Sequence, residues 1–279
     1  MPKKVRLRPT VIPPTSSGIP LNLELFKNGM LLVDKPIGWT SFDVCGKLRN
    51  TLKFLGIKKV GHAGTLDPLA TGLLIVCTGE GTRFADDFQA MTKEYSGVFR
   101  LGEATDSYDA ETPVSRTAPW GHITDESIAA AAQTFKGDIL QIPPMFSAIK
   151  MKGVKLYDMA REGLSVERQP RAVNLSRFDV SRPAGPTSQD VEFYVGCSKG
   201  TYIRSLAHDM GETLGSAAHL KGLRRTAIGE FRVDTGDAWT VTELIAALVG
   251  QREIRQASYL AAQANEVAVG PETAEGPVA

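Results

Sequence analysis

The chain has 279 residues, enough for one large domain or two small ones. Hydrophobic residues make up 42% of it and charged residues 23%, which is the composition of a globular protein and excludes a disordered or fibrous one. No apolar run approaches the ~20 residues that a membrane-spanning helix needs, and we see no secretory leader, so neither a membrane nor a secreted protein is expected. The three cysteines and four histidines lack ligand spacing, so we predict no metal site and no disulfide framework.

The net charge of +1 hides an uneven distribution along the chain. Residues 1–60 carry 11 Lys and Arg against 3 Asp and Glu, and residues 141–232 carry 14 against 9. Two basic segments of this kind could form a face that binds phosphates. Ordinary solvated charge is the alternative, because the sequence does not tell whether the two segments meet in space.

Residues 1–25 are rich in basic residues, Pro, Ser and Thr, and contain a single acid, which predicts a flexible basic arm. This arm could contact RNA, could be part of an organelle transit peptide, or could have no role. Residues 29–34 are mostly apolar and predict a buried strand. Thr40 followed by Asp43 predicts a capped helix start, and apolar residues recur at helical spacing over 44–55.

The stretch GHAGTLDPLATGLL at residues 61–74 has the features of a site. Its glycines permit a close approach of the backbone, and the proline after Asp67 biases this residue toward an extended conformation. The apolar run over 73–77 predicts a short buried strand directly afterwards. One carboxylate is thus held in a loop next to a core strand, where catalytic groups are common, although a capping Asp in a tight turn has the same pattern.

The rest of the chain alternates between strands and helices. We predict strands over 94–101, 147–150, 172–180, 189–197 and 224–233. Helices are predicted from residue 124 to 135, over 156–162, from about 202 and over 240–248, and a polar loop over 103–120. Residues 264–279 have the composition of a disordered tail. This order predicts an α+β fold with mostly antiparallel strands and helices packed on them.

The stretch at 61–74 resembles the catalytic motif of the TruB family of tRNA pseudouridine synthases. Further motifs of that family follow in the same order between about residues 29 and 232, namely 33–41 (VDKPIGWTS), 93–95 (KEY), 141–150 (QIPPMFSAIK), 197–204 (CSKGTYIR) and 223–225 (LRR). The resemblance implies the pseudouridine synthase fold, a mixed, mostly antiparallel sheet with a central active-site cleft, over residues 26–263. We expect no C-terminal PUA barrel, because the chain ends too early and too simply to contain one.

The resemblance also implies roles for individual residues. Asp67 would be the catalytic carboxylate, acting either as a nucleophile or as a base through a glycal-type intermediate. Arg204 would hold and orient it, as a guanidinium can hold a carboxylate in a bidentate manner. Tyr95 would stack on the target uracil, although an ordinary strand aromatic has the same sequence signature. Four residues are implied to bind the substrate or support the pocket, namely Lys35, His62, Tyr202 and Leu223.

The implied activity is isomerisation of uridine-55 in the T-loop of tRNA. This reaction transfers neither electrons nor phosphate, so no cofactor is expected. The expected partner is tRNA, bound through its T-arm by a monomer without an obligate protein partner, and Lys150, Lys199, Arg224 and Arg225 are possible phosphate contacts. The expected location is the cytoplasm, with a plastid or mitochondrion as the alternative. An RNA-binding or tRNA-folding protein that acts without catalysis is the alternative function, and a carboxylate hydrolase would usually need a second carboxylate across the bond.

Overall fold

The computed structural model describes residues 8–151 and 153–268 of the chain. The described residues form six α-helices, which are α1 (Ser41–Thr51), α2 (Ala85–Ala90), α3 (Asp125–Thr134), α4 (Leu156–Arg161), α5 (Ile203–Thr213) and α6 (Val241–Ala268). The Thr40 side chain accepts a hydrogen bond from the Asp43 N–H, and the Asp43 carboxylate accepts one from the Thr40 N–H. This capping box confirms the predicted start of α1.

The same residues form fifteen strands, most of them in one sheet. They are β1 (Thr10–Val11), β2 (Asn28–Lys35), β3 (Val60–His62), β4 (Ala70–Gly79), β5 (Lys93–Leu101), β6 (Glu103–Thr105), β7 (Val114–Thr117), β8 (Gly137–Gln141), β9 (Lys150–Met151), β10 (Val154–Lys155), β11 (Arg171–Ser181), β12 (Asp190–Cys197), β13 (Ala218–Ile228), β14 (Phe231–Arg232) and β15 (Trp239–Thr240).

The main sheet has eleven strands, with the central order β1-β2-β4-β13-β5-β12-β11-β8. Strand β13 runs parallel to β4 and antiparallel to β5, and the pairs β1 with β2 and β15 with β2 are also parallel. All other pairs within the sheet are antiparallel. The predicted mixed, mostly antiparallel sheet with helices packed on it is confirmed.

Two groups of helices cover the same face of the sheet. Helices α1 and α6 pack against Val33 and Leu74, whereas α3 and α5 pack against Phe99 and Phe193. Ala70 of β4 packs with the second group of helices, α3 and α5. Because side chains alternate along a strand, Ala70 and Leu74 lie on the same side of the sheet. The beginning of β4 therefore lies between the two helix groups, and this is where the Asp67 loop joins the sheet.

The N-terminal segment differs from the predicted flexible arm over 1–25. Strand β1 pairs with β2, Ile12 is fully buried, and the indole nitrogen of Trp239 donates a hydrogen bond of 2.8 Å to the Ile12 carbonyl. The prediction was wrong from residue 10 onward, because strand pairing and the burial of Ile12 dock this stretch on the sheet. Residues 1–7 of the predicted arm lie outside the described residues.

Other elements also differ from their predicted bounds. The strand predicted over 147–150 is absent from residues 147–149, and the short β9 begins at Lys150. Helix α6 extends to Ala268, well beyond the predicted end at residue 248 and into the predicted tail over 264–279, of which residues 269–279 lie outside the described residues. Strand β13 begins at Ala218 rather than at 224; its first three residues, Ala218, His219 and Leu220, are all buried, so they show no alternation of apolar and polar side chains. The predicted polar loop over 103–120 contains the β6–β7 hairpin.

None of the helices in residues 8–151 and 153–268 combines the length and apolar character that crossing a membrane requires. Within the same residues, the strands of the main sheet form an open path and do not close into a barrel.

Candidate active site

Asp67 lies in the loop between β3 and β4, and neighbouring segments hold this loop on two sides. The Ser41 hydroxyl at the start of α1 accepts a hydrogen bond of 2.8 Å from the Leu66 N–H and donates one of 3.2 Å to the Leu66 carbonyl. The Gly38 N–H donates to the Pro68 carbonyl at 2.8 Å. The residues on both sides of Asp67 are thus fixed through their backbones.

Lys35 supports the same loop from behind. Its side chain is fully buried, and its ammonium group donates to the carbonyls of Pro36 at 2.9 Å, Trp39 at 2.6 Å and Pro68 at 3.4 Å. Burial lowers the pKa of Lys35 to about 8, against an opposing effect of the Asp67 charge. Of the two roles expected for Lys35, substrate binding and support of the pocket, its burial and its three carbonyl partners favour support of the loop.

Arg204 connects Asp67 to a second carboxylate. Its Nε lies 3.0 Å from the Asp67 carboxylate and 3.6 Å from that of Asp109. Its terminal nitrogens donate to the carbonyls of Ser107 at 3.2 Å and Phe146 at 2.8 Å. The guanidinium is 6% exposed, whereas the Asp67 side chain is 39% exposed. The structure therefore holds the cation in place through several contacts and leaves the Asp67 carboxylate accessible to solvent.

The charges around Asp67 act on its protonation in opposite directions. Burial raises the pKa of Asp67 above its usual value, the Arg204 guanidinium opposes this effect, and the Asp109 carboxylate adds to it. Arg204 therefore favours the ionised form of a carboxylate whose surroundings otherwise favour the protonated form.

Tyr95 of β5 lies directly opposite Arg225 of β13, on the face of the sheet that carries the helices. Tyr95 is almost fully buried, and burial raises the pKa of its hydroxyl. Arg225 is 1% exposed and donates to the carbonyls of Leu73 at 2.7 Å and Gly64 at 3.1 Å. A buried guanidinium cannot reach RNA phosphates, so the suggested phosphate contact by Arg225 was wrong.

The other predicted residues surround this centre. His62 ends β3, is half-buried, and has its pKa lowered by burial and by the nearby Arg225, which keeps the imidazole neutral at pH 7. Tyr202 directly precedes α5, where the Gln141 amide donates to its carbonyl at 3.0 Å and accepts from its N–H at 2.7 Å. Leu223 is partly buried on β13, paired in register with the first residue of β4.

Sequence reasoning missed three contributors, namely Ser107, Asp109 and Gln141. Ser107 and Asp109 are buried polar residues in a polar stretch that predicts a loop, whereas Gln141 begins the motif at 141–150, from which no role for it was predicted. Arg224, suggested as a phosphate contact, instead binds the Asp34 carboxylate through two hydrogen bonds of 2.9 and 2.7 Å. Lys150 and Lys199 are exposed.

In the described part of the chain, no group of three or more His, Cys, Asp or Glu side chains is arranged to hold a metal ion. The centre thus consists of one accessible carboxylate, one buried guanidinium that touches it, and an aromatic ring beside them.

Two sequence models of one family match adjoining parts of the chain. Residues 52–203 match the model described as TruB family pseudouridylate synthase, N-terminal domain. Residues 204–265 match the tRNA pseudouridylate synthase B C-terminal domain. The boundary falls at the start of α5, and the second part supplies β13 to the middle of the sheet. The two matched parts therefore share one sheet.

Proteins named tRNA pseudouridine synthase B are similar to this chain over most of their length. The Flavobacterium johnsoniae protein is 47% identical over 75% of this chain and 92% of its own. The Opitutus terrae protein is 47% identical over 77% and 86%, and the Chloroherpeton thalassium protein is 44% identical over 82% and 93%.

Solved structures with a similar fold include a chain of a Cbf5–Nop10–Gar1 complex, with a TM-score of 0.62 and 28% identity over 88% of this chain. A chain of an archaeal box H/ACA sRNP Nop10–Cbf5 complex has a TM-score of 0.58 and 27% identity over 81% of this chain. This chain spans 61% and 55% of the length of those two chains.

Proposed function

Because this chain belongs to the TruB family of pseudouridylate synthases, we propose that it isomerises uridine-55 in the T-loop of tRNA to pseudouridine. The names of its relatives support tRNA as the substrate class, since the 47% identity extends over three quarters of the chain. The observation that carries the proposal is the contact of 3.0 Å between Arg204 and Asp67, because the reaction needs one accessible, oriented carboxylate.

The isomerisation breaks the bond between C1′ and N1 of uridine, turns the base and joins C5 to C1′. The proton on C5 is then lost, and N1 gains a proton, so atoms and electrons balance without a cofactor. Asp67 is the group that starts this sequence, either by attacking C1′ or by removing a sugar proton to give a glycal-type intermediate. Both routes require an ionised carboxylate and a base that has left the RNA helix.

Arg204 acts on this step through Asp67. The protein itself supplies four partners of the guanidinium, namely two carboxylates and two backbone carbonyls. A preorganised cation of this kind keeps the nucleophile or base charged and aimed without reorganisation during the reaction. The low exposure of the guanidinium supports this role over a phosphate contact.

The remaining residues form the pocket for the flipped base. Tyr95 stacks on the uracil, and Leu223 and Tyr202 form apolar walls. His62 is neutral and occupies the space near the displaced nucleotide. Single-stranded loop bases are usually read in this way, by stacking and by contacts to their edges.

The rest of the RNA is bound by its T-arm through phosphate contacts, for which the exposed Lys150 and Lys199 are suited. The protein works as a monomer, because one chain supplies every residue of the site, and it needs no obligate protein partner. It acts in the cytoplasm, in line with relatives from bacteria such as Flavobacterium johnsoniae.

The test is pseudouridine mapping on an unmodified tRNA transcript, with wild type and Asp67→Asn side by side. We expect pseudouridine at the T-loop uridine with wild type only, and similar tRNA affinity for both proteins. Arg204→Ala should lower the rate far more than the affinity. Product with Asp67→Asn would refute the role of this carboxylate. Tight binding without product from wild type would favour an RNA-binding protein that acts without catalysis.

A further inference from the structure

Tyr108 has a backbone conformation that its side chain disfavours. Its φ is 64°, and among the described residues no other non-glycine residue has a positive φ. The left-handed region brings Cβ of an L-residue too close to the backbone, and aromatic residues seldom adopt it. Such strain persists only where the surroundings enforce it, and it is concentrated at functional sites.

The residues on either side of Tyr108 provide two of the four contacts of Arg204. The Ser107 carbonyl accepts a hydrogen bond of 3.2 Å from the guanidinium, and the Asp109 carboxylate lies 3.6 Å from its Nε. The Ser107 hydroxyl also donates to the Asp109 carboxylate at 2.7 Å. The positive φ at Tyr108 therefore directs the Ser107 carbonyl and the Asp109 carboxylate toward the same guanidinium, that of Arg204.

Tyr108 itself contributes two backbone hydrogen bonds and one aromatic stack to this conformation, in addition to hydrogen bonds of its neighbours such as that from the Thr105 hydroxyl to the Asp109 carbonyl at 2.6 Å. The Tyr108 N–H donates to the Thr105 carbonyl at 3.2 Å, and the Leu220 N–H donates to the Tyr108 carbonyl at 2.9 Å. The Tyr108 ring lies on the His208 ring, with centroids 4.0 Å apart and planes at 10°. His208 lies on α5 one turn after Arg204, so one helix supplies both the cation and the ring.

We propose that the Tyr108–His208 stack is a positioning device that holds the Ser107 carbonyl and the Asp109 carboxylate against Arg204 and thereby orients Arg204 toward Asp67. The inference rests on the proposed function for its kinetic consequence. Neither ring contacts Asp67, so both are positioning residues. Without the stack, residue 108 relaxes toward negative φ, the two Arg204 partners turn away, and the guanidinium loses its fixed orientation.

The test compares variants with and without a flat ring at 208. We expect His208→Ala to lower kcat by about tenfold to a hundredfold, as small misplacements of catalytic groups do. The KM for tRNA should stay near that of wild type. His208→Phe should restore most of the activity, because it retains a ring that can stack. Thr213→Ala, an exposed change on the same helix, is the control.

Variants at position 108 separate the ring from the backbone strain. Tyr108→Gly adopts positive φ freely, whereas Tyr108→Ala keeps the strain and has no ring. We expect the Gly variant to be more active than the Ala variant. Equal activities, or the opposite order, would overturn the proposal, since loss of packing alone penalises glycine at least as much as alanine.

A double-mutant cycle asks whether His208 acts through Asp109. The loss in kcat from His208→Ala should be much smaller in an Asp109→Asn background than in wild type. In that background the ion pair between Asp109 and Arg204, which His208 supports, is already lost. Equal losses in both backgrounds would overturn the proposal, because a purely structural contribution is additive.

A crystal structure of His208→Ala gives a readout that does not depend on activity. We expect residue 108 at negative φ and the Ser107 carbonyl displaced from Arg204. If Ser107 and Asp109 both kept their contacts with Arg204 in that variant, the proposal would be overturned even if wild type proved inactive on tRNA. Failure of wild type to form pseudouridine would instead refute the proposed function.

Discussion

The Ser41 hydroxyl satisfies both backbone polar groups of Leu66, the residue directly before Asp67. Both residues are buried, so water cannot replace either hydrogen bond. The first residue of α1 thus fixes the position of the candidate catalytic loop relative to this helix.

Replacing Ser41 by Ala should therefore lower both stability and rate. A buried N–H and carbonyl left unpaired cost about 1–3 kcal/mol each, and the loop can move once they seek other partners. Urea denaturation and single-turnover kinetics at saturating enzyme measure the two effects. Ser258→Ala removes only an exposed bond within α6 and should change neither quantity. A Ser41 variant with wild-type rate would contradict the anchoring role.

Asp67→Asn should be more stable than wild type at neutral pH. The folded-state pKa of Asp67 is raised, so between the unfolded pKa and this higher value the folded state binds more protons, and stability falls as pH rises. The amide of the variant does not titrate and lacks this dependence. The gain should stay below about 1 kcal/mol, since the carboxylate is partly exposed and water screens its charge. Thermal unfolding at pH 5 and pH 7.5 should show the difference growing with pH. A stability difference that shrinks as the pH rises would contradict a raised pKa of Asp67.

Asp109→Asn should move the pH profile as well as lower the rate. The Asp109 charge contributes to the raised pKa of Asp67, so its removal lowers that pKa. The acidic limb of kcat, where Asp67 becomes protonated, should shift to lower pH, while the plateau falls because Arg204 loses a partner. Asp106→Asn, three residues away and exposed, is the matched control. If the acidic limb moved to higher pH instead, the assigned effect of the Asp109 charge on the pKa of Asp67 would be refuted.

Arg225→Met should destabilise the fold and lower the rate with little effect on tRNA affinity. The change leaves the carbonyls of Leu73 and Gly64 without their donors, at a cost of about 2–4 kcal/mol. Arg225→Lys keeps the charge and one hydrogen bond, so its stability and rate should lie between those of Arg225→Met and wild type. Affinity for tRNA and its salt dependence distinguish this role from a phosphate contact, because loss of a phosphate contact would flatten the salt response.

Local signals predicted much of the architecture correctly. The capping box of α1, the strand after Asp67 and the alternation in β12 are encoded by neighbouring residues, and the structure has all three. The contact between Asp67 and Arg204 joins residues far apart in the sequence, and only the family resemblance brought them together.

Burial was the property that the sequence concealed. Arg225 looks like a surface cation in the sequence, yet it is buried, and backbone carbonyls accept its hydrogen bonds. Asp109 lies in a polar stretch that predicts a loop, and nothing nearby signals that it will be enclosed beside Arg204. The burial of Ile12 was not predicted either, because its few apolar neighbours gave no periodic pattern.

The position of β13 has a consequence for synthesis of the protein. This strand is made late but lies between β4 and β5, which are made early. While the ribosome is still translating the residues before Ala218, β4 and β5 have no partner between them, and each exposes an unpaired edge. Arg225, which ties the Asp67 loop to the sheet, arrives on the same strand. The nascent chain therefore gains its active site only near the end of translation, and N-terminal fragments depend on protection against aggregation until then.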